Sequence, residues 1–197
     1  MEEYVQVVIG SILGDGNLKY YSRTKQFSQL YVSQHSSKLP YLEWLHSKLS
    51  SGFEVYPIKP KKGYEQHYFI TKPNKIFGLL RLKFYPKGKK QIPSDIESLL
   101  KYPISLAVWY MDDGNLDKRY KYHCNATLAT YGFSFGECRR LTKVLKKNFG
   151  ISSSVNRNTM RGKVYPRLYI KSESMNRFVS IIKPYIQPVF NYKIGLN

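Results

Sequence analysis

Cysteine is nearly absent from this sequence. Cys124 and Cys138 are the only two in 197 residues. They form no C-x-x-C pair, which excludes a zinc ribbon and a dithiol redox motif. Two reduced thiols in an intracellular protein are expected, with a single disulfide as the alternative; the compartment is not specified by the sequence. The four histidines (His35, His46, His67, His123) fall at no H-x-x-x-H or related ligand spacing. No apolar run approaches the ~20 residues needed to cross a bilayer. The acidic start, Met1-Glu2-Glu3-Tyr4, does not read as a signal or transit peptide. Acidic residues are scarce: 13 Asp and Glu stand against 32 Lys and Arg, a net charge of +19. That self-repulsion calls for a polyanion. Nucleic acid is the first expected partner and an anionic membrane surface the second.

What the chain does have is a core and a duplication. Hydrophobic content of 42% is enough for an ordinary globular interior, and the length fits one large domain or two small ones. Asp15-Gly16-Asn17-Leu18 recurs as Asp113-Gly114-Asn115-Leu116, 98 residues later. Each copy follows an apolar stretch. Val5, Val8, Ile9, Ile12 and Leu13 fall at helical spacing. Leu106 to Met111 is an almost continuous apolar run, so its helix should be buried on most sides. Leu45, Leu49 and Phe53 correspond to Leu141, Leu145 and Phe149, and Phe77 to Phe178. Repeats at this period mark duplicated supersecondary units. Each half reads as helix, hairpin, helix, hairpin, helix. In the first, these are a hairpin over Asn17 to Gln34, a helix over Leu39 to Leu49 with Ser36 or Ser37 as N-cap, a hairpin pairing Val55 to Ile58 with Gln66 to Ile70, and a helix over Asn74 to Leu82. The second repeats this over Lys118 to Thr130, Ser134 to Phe149, Ser152 to Ile170 and Ser174 to Ile182. Residues 1–84 and 104–197 form the repeats. Residues 85–103, with four Lys and three Pro, read as an exposed linker.

The Asp-Gly pairs carry the chemistry. A helix that stops at Gly turns through a left-handed residue there, which leaves the preceding Asp at the negative end of the helix dipole. One Asp-Gly is explained by turn chemistry alone. Two copies, each closing an apolar helix of a basic repeat, suggest sites for a hard divalent cation such as Mg²⁺. Paired carboxylates of this kind serve phosphodiester hydrolysis. Gly10 and Gly14, four apart, give a small-residue face on which a second helix backbone approaches closely. If the two apolar helices cross there, both acids emerge side by side.

At these residues the chain resembles the LAGLIDADG homing endonucleases. Val8-Ile9-Gly10-Ser11-Ile12-Leu13-Gly14-Asp15-Gly16 is similar to the family nonamer. Leu106-Ala107-Val108-Trp109-Tyr110-Met111-Asp112-Asp113-Gly114 is similar to its second copy. The resemblance spans nearly the whole chain, including Phe84-Tyr85-Pro86 to Pro93 and the closing Pro184-Tyr185-Ile186 to Tyr192-Lys193. It implies an α+β saddle of two αββαββα repeats around two central motif helices. It also implies metal-dependent cleavage of both strands of a long, asymmetric double-stranded DNA target by a pseudo-symmetric monomer, with Mg²⁺ or Mn²⁺ as cofactor. The implied acids are Asp15 and Asp113, with Gly14 and Asp112 lending backbone carbonyls to metal. Asp112 leaves open which of two adjacent carboxylates binds it. Gln34 matches a family Gln; its repeat partner is Thr130, so that role is single or filled by Tyr131. Lys193 matches a family Lys that polarises water or stabilises a leaving oxygen, with Lys90 or Lys89 as the first-half equivalent. An RNA-binding maturase acting on its own intron RNA, on the same fold, is the alternative function, and a non-catalytic DNA-binding protein the third.

Strand alternation assigns the DNA face. With Leu30 and Val32 packed inward, Gln29, Tyr31 and Ser33 face DNA. With Leu128 inward, Asn125 and Thr127 do. Lys19, Tyr21, Arg23, Lys25, Lys61, Lys62, Gln66 and Tyr68 are further candidates in the first half. Arg119, Lys121, Arg157, Arg161, Lys163 and Arg167 are candidates in the second. Gln and Asn suit adenine edges and Arg or Lys suit guanine, although most basic contacts position on phosphate without specifying sequence.

Overall fold

The computed structural model describes residues 2–21, 26–119 and 123–195. Two copies of one motif build it. The first runs α1 (Glu3–Leu13), β1 (Asn17–Tyr20), β2 (Ser28–His35), α2 (Leu39–Ser50), β3 (Lys59–Pro60), β4 (Gln66–Ile70) and α3 (Lys75–Phe84). A short helix, α4 (Ile96–Leu99), lies between the repeats. The second copy runs α5 (Pro103–Asp113), β5 (Gly114–Arg119), β6 (His123–Ala129), α6 (Phe135–Phe149), β7 (Ser153–Met160), β8 (Lys163–Ile170) and α7 (Met175–Ile182). The two antiparallel sheets have matching orders, β1-β2-β4-β3 and β5-β6-β8-β7. The expected α+β duplication is therefore present.

Local chemistry sets the boundaries. In α6, the Ser134 side chain accepts from Glu137 N–H while Glu137 accepts from Ser134 N–H, a capping box. The helix ends at Gly150 in the left-handed region, φ 68°. Asn74 caps α3 by accepting from Ile76 N–H. The α2 start differs from expectation. Ser36 and Ser37 belong to a 3₁₀ turn whose N–H at Ser37 is capped by His35, and α2 begins after Lys38 with Pro40 in its first turn. The second hairpin of the first repeat also differs. Val55 to Ile58 do not form the strand; Val55 makes one bridge to Thr71, and only Lys59–Pro60 pair with β4. Pro57 and Pro60 have no N–H to give a ladder.

The central helices α1 and α5 cross at the glycines. A Cβ on Gly10 would stand 2.5 Å from the Ser105 carbonyl oxygen and 2.7 Å from Val108 Cβ. Residues Ile104 to Met111 of α5 are all buried, because α1 covers one side and the second repeat the others. Residues 85–103 are not the exposed linker expected. Ile92, Ile96, Leu99 and Leu100 are in the core. Their backbone is tied down from both repeats: Glu137 Oε1 accepts from Ile92 N–H (2.7 Å), Asn148 Nδ2 donates to Leu100 O (2.6 Å), and buried Gln6 Nε2 donates to Leu99 O (3.0 Å). Lys and Pro are prominent in this segment, but its four aliphatic residues, together with buried Tyr85, fix its position. No helix among the described residues is long and apolar enough to cross a membrane.

Candidate active site

The ends of α1 and α5 meet between the two sheets. Asp113 is the last residue of α5, and Asp15 lies two residues beyond the end of α1. Neither Gly16 nor Gly114 (φ −81°) is left-handed, contrary to expectation, and Gly14, which closes α1, has φ −93°. Glycine is required there for room. A Cβ on Gly14 would fall 2.5 Å from Asp112 Oδ2, and one on Gly16 would fall 2.7 Å from Ser11 O.

One lysine sits at each helix end, on carbonyls that are not equivalent: Lys90 binds just past the end of α1 and Lys193 within the last turn of α5. Lys90 Nζ donates to Gly14 O (2.9 Å) and Gly16 O (3.1 Å). Lys193 Nζ donates to Met111 O (2.6 Å) and Tyr110 O (3.5 Å). The last carbonyls of a helix lack intrahelical donors and sit at its negative pole, so a cation there satisfies both needs. Lys193 is 6% exposed, and burial brings its ammonium down to about 8. Burial also lowers Lys90, against the pull of Asp113, Asp15 and Asp112.

The carboxylates crowd one another. Burial, with the charge of Asp15 second, pushes the Asp113 carboxyl up to about 7. Burial and then Asp15 hold Asp112 well above the usual carboxylate range. Gln34, 4% exposed, lies on the helix-facing side of β2 with Leu30 and Val32. Its Nε2 donates to Asp15 Oδ2 (3.0 Å) and Asp112 Oδ1 (3.2 Å). Tyr41, which the sequence did not single out, donates to Asp112 Oδ1 (2.9 Å). Thr130 takes no equivalent place: its hydroxyl donates to Pro166 O (2.9 Å). Tyr131 instead lines a cavity of about 260 Å³ with Gly14, Lys90 and Asp113.

The oxygen-rich set of two carboxylates and helix-end carbonyls fits a hard divalent cation that keeps open positions for water and phosphate. Burial, with a second carboxylate alongside, drives a carboxyl here toward neutrality, and a bound cation would relieve both. Among the described residues no cluster of three or more His, Cys, Asp or Glu forms an all-protein cage.

The outer faces of the sheets carry most of the expected DNA-facing residues. Tyr31 and Tyr68 stack at 5.4 Å, with Lys19 Nζ 4.0 Å above the Tyr31 ring. Ser33 and Lys61 both donate to Gln66 Oε1 (3.3 and 3.1 Å). Gln29 Nε2 donates to Thr71 O (2.9 Å), while Tyr21 and Lys62 are exposed. On the second sheet, Arg167 Nη2 donates to Thr127 Oγ1 (2.9 Å). Thr127 is on the expected face but only 1% exposed, covered by Arg167. Asn125 accepts from Ser172 (2.5 Å), and Lys163 is exposed opposite Met160. Arg157 departs from expectation: it pairs with Pro166 and shares the parity of Val155, opposite the face of Arg167. Arg161, at φ 48°, is in the β7–β8 turn. Arg23, Lys25 and Lys121 lie outside the described residues, as does the side chain of Arg119. Register adds outer-face residues that were not singled out, including Asn115 opposite Thr127, Asn156 opposite Arg167 and Tyr169 opposite Ser154.

Two crossed helices ending in paired acids, each clamped by a lysine, between duplicated sheets, define a single class. The LAGLIDADG DNA endonuclease family matches residues 5–178, and the chain belongs to it. The chain is 30% identical over 203 residues to the cytochrome b mRNA maturase bI2 of Debaryomyces hansenii, covering 98% of this chain and 74% of that one. It is 28% identical to the DNA endonuclease I-ChuI of Chlamydomonas applanata, covering 98% and 95%. The solved structure of the homing endonuclease I-WcaI bound to its DNA recognition sequence superposes with a TM-score of 0.78, at 26% identity, over 99% of this chain and 88% of that one.

Proposed function

We propose that this chain is a site-specific homing endonuclease that makes a double-strand break in a long, asymmetric DNA duplex by divalent-metal-dependent phosphodiester hydrolysis, acting as a monomer. The observation that carries this reading is the pairing of Asp15 and Asp113 at adjoining helix ends, with Lys90 and Lys193 on the carbonyls beside them. Asp15 and Asp113, with the carbonyls of Gly14 and Asp112, are the groups that would hold Mg²⁺ or Mn²⁺. Such an ion supplies Lewis-acid stabilisation of the phosphoryl oxygens and an acidified water. Gln34 orients the Asp15 carboxylate. The two lysines hold positive charge where a leaving oxygen develops its negative charge. The sheets bind DNA by cationic contacts to phosphate and by the Gln, Asn and Arg side chains of their outer faces.

The test uses a plasmid carrying the junction sequence of the gene's host locus, incubated with Mg²⁺ or with EDTA. Linearisation only with Mg²⁺, lost in Asp15→Asn and in Asp113→Asn while DNA binding persists, is the expected result. A double-strand cut by either variant would refute the assignment of the acids. The maturase relative, matched along nearly this whole chain, favours a second reading in which the same protein also binds its own intron RNA. Filter binding of that RNA, with and without competing target DNA, tests it.

A further inference from the structure

The side chain of Asp112 serves the opposite repeat. It stands on α5, in the second copy, yet the three hydrogen bonds made to its carboxylate come from the first. Asp15 N–H donates to Oδ2 (3.2 Å), while Gln34 Nε2 (3.2 Å) and Tyr41 OH (2.9 Å) donate to Oδ1. Tyr41 is itself fixed, fully buried with its ring edge-on to Phe190 at 4.9 Å. The same Gln34 nitrogen reaches Asp15 Oδ2, so Asp112 holds both the backbone of Asp15 and the group that orients its carboxylate.

The device works in one direction only. The equivalent of Asp112 in the first repeat is Gly14, whose missing side chain leaves the space that Asp112 fills. The two acids also differ in their need for it. Asp113 is the last residue of α5, so the helix ladder fixes its backbone. Asp15 lies beyond the end of α1: Gly14 and Gly16 on either side still donate to Gly10 O and Ser11 O, but the Asp15 N–H itself donates to Asp112.

We propose that Asp112 is a positioning residue for Asp15 and Gln34, and that the cuts on the two DNA strands therefore depend on it unequally. The consequence for cutting rests on the nuclease reading above; the positioning itself does not.

Two measurements test this on the full chain. Asp112→Asn replaces one carboxylate oxygen with an NH₂, so at least one of the three donors loses its acceptor. The first measurement is amide hydrogen exchange by NMR in the free protein. Asp112→Asn is expected to speed exchange at the Asp15 N–H by about tenfold or more, since exchange reports local opening, and to leave the Asp113 N–H unchanged. The second is cleavage in Mg²⁺ of a duplex with distinguishable labels on its strands. One strand's rate should fall at least about tenfold further than the other's, as small misplacements of a catalytic group do. Tyr41→Phe, which removes one donor, should bias the same strand by a smaller factor, and it carries both comparisons if Asp112→Asn does not fold. Equal slowing of both strands, or an Asp15 amide unchanged in both variants, overturns the proposal. If the wild-type chain cuts neither strand, the nuclease reading fails, and the exchange measurement alone decides the positioning role.

Discussion

Substituting Gly10 by Ala tests the central helix crossing directly. The added Cβ would sit 2.5 Å from the Ser105 carbonyl oxygen. Carbon to carbonyl-oxygen contacts rarely close below about 3.3 Å, so the backbones of α1 and α5 must part by about 0.8 Å. The listener on the far side is backbone, which has no alternative rotamer to adopt. Overpacking of this kind costs about 1–3 kcal/mol. For a chain of this size each kcal/mol lowers Tm by about 2–4 °C, so a fall of about 6 °C is expected by scanning calorimetry. Parting the helices also separates Asp15 from Asp113. A displacement near 1 Å costs on the order of 100-fold in rate, so cleavage should fall more steeply than stability. Gly136→Ala is the control: it is in α6, where a Cβ would meet only Ser134 Oγ at 3.9 Å. There Ala should raise stability by up to about 1 kcal/mol, the helix-propensity gain over Gly. An unchanged Tm in Gly10→Ala would show that the helices do not cross at this residue, and the pairing of the acids would lose its structural basis.

Three further outcomes follow from the site. The Asp113 carboxyl, near 3.9 when unfolded, is pushed up to about 7 in the folded chain. The folded state thus keeps a proton that the unfolded state releases from about pH 4 upward, so this group's contribution to stability falls as pH rises to about 7 and is level above. Asp113→Asn should therefore raise Tm in EDTA at about pH 8 and change it little at about pH 4, read by thermal melts; the reverse pattern would refute the crowding of the carboxylates. Lys193→Met removes the donor to Met111 O in a buried site. An orphaned buried carbonyl costs about 1–3 kcal/mol, and cleavage should fall by more than that loss of folded protein explains, measured as single-turnover rate beside a denaturant melt. Lys163→Ala should weaken DNA binding evenly across sequences and reduce the salt slope by about one, while Arg167→Ala should relax specificity at one base pair; titrations at several salt concentrations on matched and mismatched duplexes separate the two.

The duplication was legible because each repeat must bury the same faces, so Leu45, Leu49 and Phe53 recur as Leu141, Leu145 and Phe149, all buried. What was not legible depended on neighbours remote in sequence. Residues 85–103 read as exposed from their lysines and prolines, yet Ile92, Ile96, Leu99 and Leu100 have partners on α1 and α6 that hold the segment down. Arg157 was assigned by charge, and only the register with Pro166 puts it on the other face. The glycines beside the acids were expected to supply a left-handed turn; they supply clearance, which no local pattern reports.

That clearance explains why two copies of one motif had to diverge. Where α1 and α5 meet, positions 14 and 112 compete for one volume. A Cβ at residue 14 would already stand 2.6 Å from Asp112 Cβ, closer than the packed interior of a protein allows. A side chain on one repeat therefore requires glycine on the other. With Asp112 on the second repeat, Gln34 and Tyr41 have an acceptor there, whereas Thr130, the counterpart of Gln34, donates to Pro166 O. In a symmetric dimer one residue would have to serve as both Gly14 and Asp112. A single chain with two repeats is free to choose differently at each, and only such a chain can hold its two acids by different means.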